Sequence, residues 1–270
     1  MVTKPPKSYP IKGGELGRNR LSVLTRVLGP TTERLFERAG IGPGSTVIDV
    51  GCGGGHVSFA LAERVGLQGQ VIGIDFDEEK IALAQADAKS MGISNVRFLA
   101  ADVTAPWAVV PADFIYARFI LTHLADPHAL LRHAMTALKP GGAIMVEDID
   151  MAGRFTSPES AAVDRSMALY MELSRRRGGN PIIGRRLAFL LEDAGFRDVE
   201  TTLVQPFSRE GDAKDMALLT FEAIADGLVT EGMASREEIT RLAEELKAFN
   251  RRADTIVSMP RIFQAWGRKR

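Results

Sequence analysis

The chain has 270 residues, 45% hydrophobic and 25% charged, a balance that supports a sizeable core and argues against disorder. Its 34 basic residues equal its 34 acidic ones, which removes the whole-protein electrostatic case for binding nucleic acid or an anionic membrane. The single cysteine, Cys52, excludes a disulfide framework, a zinc cluster of cysteines and a CxxC redox pair. No apolar run approaches the roughly 18–20 residues of a membrane span and the first residues carry no hydrophobic signal segment, so a soluble protein of the reducing cytoplasm is expected.

Residues 1–14 are rich in Lys, Pro and Gly and read as an arm. Residues 20–39 read as two short helices, with Leu21, Leu24, Val27 and Leu28, then Leu35, Phe36 and Ala39, at helical spacing. Pro30 is expected to separate them, Thr31 or Thr32 to cap the second and Gly40 to end it. From residue 46 short apolar runs alternate with amphipathic segments: 46–50 then 56–65, 70–75 then 78–91, 96–99, 113–116 then 127–138, and 143–148. This rhythm predicts right-handed crossovers and a parallel α/β sheet with helices on both faces. Runs such as Val47-Ile48-Asp49-Val50 and Val71-Ile72-Gly73-Ile74 fit strands buried on both sides.

After Asp150 the rhythm breaks. Residues 158–177 and 185–194 read as helices, 196–204 and 255–266 as late strands, and 212–250 as helical. Because strands of one sheet flank them, 153–180 and 205–250 are expected to be helical insertions, not separate domains. Their methionines and aromatics (Met167, Met171, Met216, Met233, Tyr170, Phe221 and Phe249) read as core of the insertions in preference to an apolar pocket.

The segment that suggests chemistry is Val47-Ile48-Asp49-Val50-Gly51-Cys52-Gly53-Gly54-Gly55-His56, a buried strand running into a glycine turn that opens a helix. Such a turn brings backbone close to a ligand, and the helix start offers N–H donors to an anionic group. A dinucleotide fingerprint needs G-x-G-x-x-G. Here the third glycine position is His56, which opposes a nicotinamide-dependent oxidoreductase. Asp49 can take a loop N–H or a ligand amine. Asp75, at the next strand end and 24 residues after Gly51, can take both hydroxyls of a ribose. Asp102 ends a third strand and can accept from an exocyclic amine while the Val103 N–H meets a ring nitrogen, a pair suited to adenine. Asp126-Pro127 reads as an N-cap and first position of a helix.

Taken as an ordered set, VIDVGCGGG, VIGID, FLAADV, DFIYARF and LKPGG before AIMVEDID resemble class I S-adenosylmethionine-dependent methyltransferases of the small-molecule type over roughly residues 46–150. The resemblance implies a Rossmann-like sheet of seven mostly parallel strands in the order 3-2-1-4-5-7-6 with the seventh antiparallel, within a methyltransferase domain at 41–270. It implies Asp49, Gly51, Cys52 and Gly53 around the methionine part of the cofactor, and Asp75 with Phe76 at the ribose. Asp102 and Val103 would then sit at adenine, and Ala117 and Arg118 at the base of the transfer pocket. Residues 1–40 resemble a cofactor-covering segment, in which Tyr9 or Arg20 is expected to close over the methionine end.

The acceptor is less legible. An Asn/Asp-Pro-Pro-Tyr/Phe turn, frequent where adenine or glutamine amides are methylated, is replaced by Ala117-Arg118-Phe119-Ile120. His123 stands where a general base could act, or packs against the cofactor. Glu147, Asp148 and Asp150 at the fifth strand end could act as base, bind a cationic group or simply be solvated. A metal at His123, Asp126 and His128 is not expected, because Asp126 has its capping task, and Arg175–Arg177 with Arg185–Arg186 read as a solvated face. The expected function is methyl transfer to a small organic acceptor, with no membrane partner and nucleic acid disfavoured. A homodimer, an RNA or protein acceptor and a non-catalytic cofactor-binding subunit stay open.

Overall fold

The structure is a computed structural model and describes residues 14–270; the arm with Tyr9 lies outside the described residues. A long helix α1 (Gly14–Ala39) leads into β1 (Thr46–Val50), α2 (His56–Val65), β2 (Gln70–Asp75), α3 (Glu78–Ser90), β3 (Val96–Ala100) and β4 (Ala112–Arg118). There follow α4 (Pro127–Ala137), β5 (Leu138–Asp150), β6 (Thr156–Ser157), α5 (Ala161–Arg176), α6 (Leu187–Asp193), β7 (Arg197–Val204) and β8 (Phe207–Ser208). The chain closes with α7 (Met216–Thr230), α8 (Arg236–Arg251), β9 (Ile256–Ser258) and β10 (Arg261–Arg268).

Seven strands form one sheet in the order β3-β2-β1-β4-β5-β10-β7. The first five pair in parallel, and β10 runs antiparallel to both β5 and β7. This is the expected order, with β10 as the antiparallel strand inserted between the fifth and sixth. The pleat divides the strand residues between two cores. Ile48, Ile72, Ile115 and Ile144 pack with Leu130 and Leu131 of α4 and Leu187 and Leu190 of α6. Val47, Val71, Tyr116, Met145 and Trp266 pack on the other face with Leu35 and Phe36 of α1 and Leu61 and Val65 of α2.

Three elements depart from expectation. Pro30 lies inside α1, which is continuous from Gly14 to Ala39 and is not split in two. Proline removes one backbone donor, but the helix is held at both ends: Leu24 and Leu28 pack into the helical cap and Leu35 and Phe36 into the sheet core. Neither threonine caps a second helix. Thr31 Oγ1 donates to the Leu28 carbonyl at 2.8 Å, and Thr32 Oγ1 donates to Glu147 at 2.8 Å. The late strand 255–266 is two strands: β9 joins β6 and β8 in a separate three-stranded sheet, and β10 enters the main sheet after Met259-Pro260. The segment expected as helix 185–194 starts as a 3-10 turn at Ile183–Arg186 and becomes α6 only from Leu187.

The segments between β5 and α6 and between β8 and β9 form a cap over the carboxyl ends of the strands. Tyr170 and Leu173 of α5, Phe221 and Ile224 of α7, and Leu246 and Phe249 of α8 share one apolar core with Leu24 and Leu28 of α1 and with Ile149, Met151 and Ile262 from the sheet. Met167 and Met216 are buried in the same cluster. Asp49, Asp75, Ala100, Arg118 and Ile149, at the carboxyl ends of the five parallel strands, line the space beneath this roof.

Candidate active site

A cavity of about 720 Å³ lies between the strand tips and the roof, within the roughly 300–1,000 Å³ typical of ligand sites. The tips of β3, β2, β1, β4 and β5 all contribute to its wall, as do α1 and α5. From β3 to β4 there are three interstrand steps, about 15 Å, so a ligand touching all of these tips is elongated.

At β1 the chain turns sharply under β2. The Gly51 and Cys52 amides both donate to the Ile74 carbonyl, at 2.7 and 3.0 Å. Gly51 has φ +72°, and a Cβ there would lie 2.0 Å from Ile120 Cδ1 and 2.4 Å from Cγ1, so only glycine lets the β1 turn and the β4 loop meet. Gly53 donates its N–H to Asp75 Oδ2 at 2.9 Å, while the Asp77 N–H donates to Oδ1 at 3.0 Å. One carboxylate thus fixes the glycine turn and the β2 turn together. Burial raises the Asp75 pKa, partly offset by the nearby Lys80 ammonium. Each carboxylate oxygen still has acceptor capacity for a hydroxyl.

Asp49 is buried at the end of β1 and accepts from Ser58 Oγ at 2.6 Å. Burial lifts its pKa to about 6, with Ser58 and the Arg118 charge acting in the opposite direction. Burial also pushes the Cys52 thiol up. Phe76 lines the cavity and carries the Lys80 ammonium 5.8 Å from its ring centroid. Asp102 and Val103 lie at the β3 end of the wall, where Asp102 Oδ1 accepts from the Thr104 N–H and hydroxyl at 2.8 and 2.7 Å.

At the far end, β4 ends in Arg118 and is followed by Phe119, whose φ of +56° places a bulky side chain in the left-handed region. Strain of this kind, of order 1–3 kcal/mol, persists where surrounding structure imposes it. Arg118 lines the cavity; its Nη2 lies 3.5 Å from Thr25 Oγ1, and its Nη1 is buried with no hydrogen-bond acceptor among the described residues. Arg20 also lines the cavity and donates from Nε to Thr220 Oγ1 of α7 at 3.1 Å. His123 sits on a 3-10 turn (Leu121–His123) and lines the cavity; burial lowers its pKa to about 3, so the imidazole is neutral at physiological pH.

The acids of β5 are not where the sequence reading places them. Glu147 is fully buried on the α1 side of the sheet and does not line the cavity. Its Oε1 accepts from Thr32 and Tyr116 hydroxyls at 2.8 and 2.7 Å and its Oε2 from Gln264 at 3.0 Å, so it ties α1, β4, β5 and β10 together. The reason is strand parity: Glu147 shares the face of Met145, which packs toward α1 and α2. Asp148, on the opposite face, accepts from the Thr122 and Ile149 amides at 2.9 and 2.8 Å and so holds the turn that carries His123. Asp150 caps the turn after β5 and faces Arg185 at 2.5 Å and Arg261 at 3.7 Å. Ala117 is buried within β4 and does not line the cavity. Asp126 caps α4 through the His128 N–H at 3.0 Å, and no group of metal-ligating side chains occurs among the described residues. Sequence reasoning missed Leu24, Phe119, Ile149, Met151 and the cavity-facing role of Tyr170. Nothing in a helical apolar stripe says which of its members meets a cavity.

Across the tips, Asp49, Asp75 and Asp102 present three acceptors in line, beside the start of α2 and a bare Gly51 backbone. That donor and acceptor set fits an ammonium, a diol and an aminopurine on one elongated molecule carrying a carboxylate. A family model described as a methyltransferase domain matches residues 41–195. The chain belongs to this family, the class I S-adenosylmethionine-dependent methyltransferases. It is similar to phosphoethanolamine N-methyltransferase 1 of Arabidopsis thaliana, 32% identical over 171 residues, covering 63% of this chain and 32% of that one. It is also similar to methyltransferase GfsG of Streptomyces halstedii, 29% identical over 209 residues, covering 77% and 72%. A solved S-adenosylmethionine-dependent methyltransferase from Aquifex aeolicus shares the fold with a TM-score of 0.53 at 23% identity, covering 71% of this chain and 93% of that one. The chain spans about a third of the length of its plant relative. No helix among the described residues is long and apolar enough to cross a membrane.

Proposed function

We propose that this chain transfers the methyl group of S-adenosylmethionine to a small organic acceptor held in the same cavity. The observation that carries the reading is continuity: the wall that begins with Asp102 and Asp75 runs past Gly51 into a chamber closed by Leu24 of α1, Met151 after β5 and Tyr170 of α5. A chamber roofed by helices suits a small molecule, where a macromolecular acceptor calls for an open groove.

In this reading Asp49 receives the cofactor's ammonium, Asp75 the ribose hydroxyls, and Asp102 with the Val103 amide the adenine edge; Phe76 lies beside the ribose and Arg20 covers the methionine end. When bound, the sulfonium supplies an already activated methyl electrophile. The protein's remaining task is to place the nucleophile in line and exclude water, and alignment of this kind contributes up to roughly 7–11 kcal/mol. Phe119 and the Leu121–His123 turn shape the floor of the chamber, and Asp148 holds that turn in place. His123, kept neutral by burial, orients the acceptor through a hydrogen bond. Helices α1, α5, α7 and α8 act together as the lid.

Incubation with methyl-labelled S-adenosylmethionine and a panel of small acceptors tests the proposal. It expects labelled product and release of S-adenosylhomocysteine. Tight cofactor binding with no transfer to any acceptor class would favour a non-catalytic role.

A further inference from the structure

The far end of the cavity differs in charge from the end holding Asp75 and Asp102. Its wall is built from Leu24, Phe119, Ile149, Met151 and Tyr170, with Arg20, Arg118 and His123 as the polar groups; none of these carries a carboxylate. The three acids that β5 brings nearest this chamber are all engaged elsewhere: Glu147 by Thr32, Tyr116 and Gln264, Asp148 by the amides of Thr122 and Ile149, and Asp150 by Ala152, Arg185 and Arg261. Of the acids that line the cavity, Asp49 is assigned to the cofactor's ammonium, Asp75 and Asp102 to its nucleoside, Glu78 opens α3 beyond Asp75, and Asp126 caps α4 and pairs with Arg132. A cation entering this chamber would therefore be desolvated with no anion left to meet it, at a cost that effectively bars it. Arg118 points to the opposite preference: its charge acts on Asp49, yet its buried Nη1 has no hydrogen-bond acceptor among the described residues, and an oxyanion in the chamber would supply one.

Resting on the methyl-transfer reading above, we infer that the acceptor is an apolar molecule bearing an acidic hydroxyl of the phenol or enol class, bound as its oxyanion, and not an amine bound as its ammonium. The acceptor gives its hydroxyl proton to solvent on binding. A lone pair of the oxyanion forms the new carbon–oxygen bond, the methyl carbon–sulfur bond breaks, and its electron pair returns to sulfur to leave a neutral thioether. No strong base is then required of the protein, which agrees with a neutral, buried His123. The apolar wall accounts for the ring or chain carrying the hydroxyl.

The test is a comparison of kcat/KM with methyl-labelled S-adenosylmethionine for two sets of acceptors of similar size: substituted phenols and a cyclic 1,3-diketone against primary and secondary alkylamines. The inference expects the phenols and the enol to be methylated at least tenfold more efficiently than any amine. It also expects Met151→Glu, which sets a carboxylate in the chamber, to raise amine turnover at least tenfold and depress that of phenols. Amines turned over as well as or better than phenols by the wild type would overturn the inference while upholding methyl transfer. Cofactor binding with no turnover in either set would overturn both. Should Met151→Glu not fold, the wild-type comparison decides alone.

Discussion

Replacing Asp75 by Asn exchanges one carboxylate oxygen for an amino group and removes one charge, at the residue that joins the glycine turn to the β2 turn and is proposed to hold the ribose. In the native protein Oδ2 accepts from Gly53 N–H at 2.9 Å and Oδ1 from Asp77 N–H at 3.0 Å. An amide can serve one of these donors but turns an NH₂ toward the other, so one buried backbone donor is left facing a donor. Losing a hydrogen bond to a charged acceptor costs about 1.5–3 kcal/mol. That loss falls on the free protein and lowers the melting temperature by several degrees, at roughly 2–4 °C per kcal/mol for a chain of this size. The ribose side loses the carboxylate as well, and the Gly53 amide is no longer fixed, which together place the binding loss at about 2–4 kcal/mol. At tenfold per 1.4 kcal/mol, affinity should fall roughly 30- to 700-fold. Isothermal titration with S-adenosylhomocysteine, run beside thermal unfolding of the same sample, gives both numbers. A folded Asp75→Asn variant binding within threefold of wild type would refute the assignment of Asp75 to the cofactor.

Other expectations follow from the same geometry. Gly51→Ala forces a Cβ into Ile120 at a positive φ, which costs about 1–2 kcal/mol in backbone strain before any shift of Ile120, and cofactor affinity measured by titration should fall at least tenfold. Glu147→Gln, by contrast, should lower stability by about 1–2 kcal/mol in chemical denaturation and leave kcat of the folded enzyme within twofold; a kcat loss of a hundredfold would restore it as a base. Asp49 and Asp148 have folded pKa values raised to about 6 and about 7 by burial, so the folded state holds protons that the unfolded chain releases. Their contribution is full below about 4 and is lost as pH rises through 6 and 7, so these two acids raise the melting temperature as pH falls from 8 to 5, against the opposite pull of His123, which only the unfolded chain protonates below about 6.5. Asp148→Asn should flatten that slope; an unchanged slope would contradict the burial argument. His123→Gln should lower kcat without removing any limb of the pH profile between 5 and 9, because burial keeps the native imidazole neutral across that range.

Most of the sheet was legible because β1, β2 and β5 are near-continuous apolar runs ended by Gly or Asp, a pattern that fits burial on two faces and parallel crossovers. Asp49 and Asp75 were legible for the same reason, since each lies at the end of a buried strand, whereas Asp102 is exposed two residues beyond the end of β3. Three things were not. Local rules read Pro30 as a break, yet α1 is held by contacts with two separate cores, and those contacts are long-range. Glu147 and Asp148 differ only in strand parity, and parity at the end of a 13-residue strand depends on the register with β10 and β4. The chamber wall draws on α1, the β4 loop and α5, elements up to about 150 residues apart in sequence, and the positive φ of Phe119 has no signature in its residue type.

A crystal structure with S-adenosylhomocysteine bound decides whether the strand tips hold the cofactor. The ribose hydroxyls are expected on Asp75, the adenine beside Asp102 and Val103, and the thioether sulfur facing the chamber between Phe119, Met151 and Tyr170. A nucleoside bound elsewhere, or lying in the cavity with Asp75 and Asp102 turned away from it, would contradict this placement.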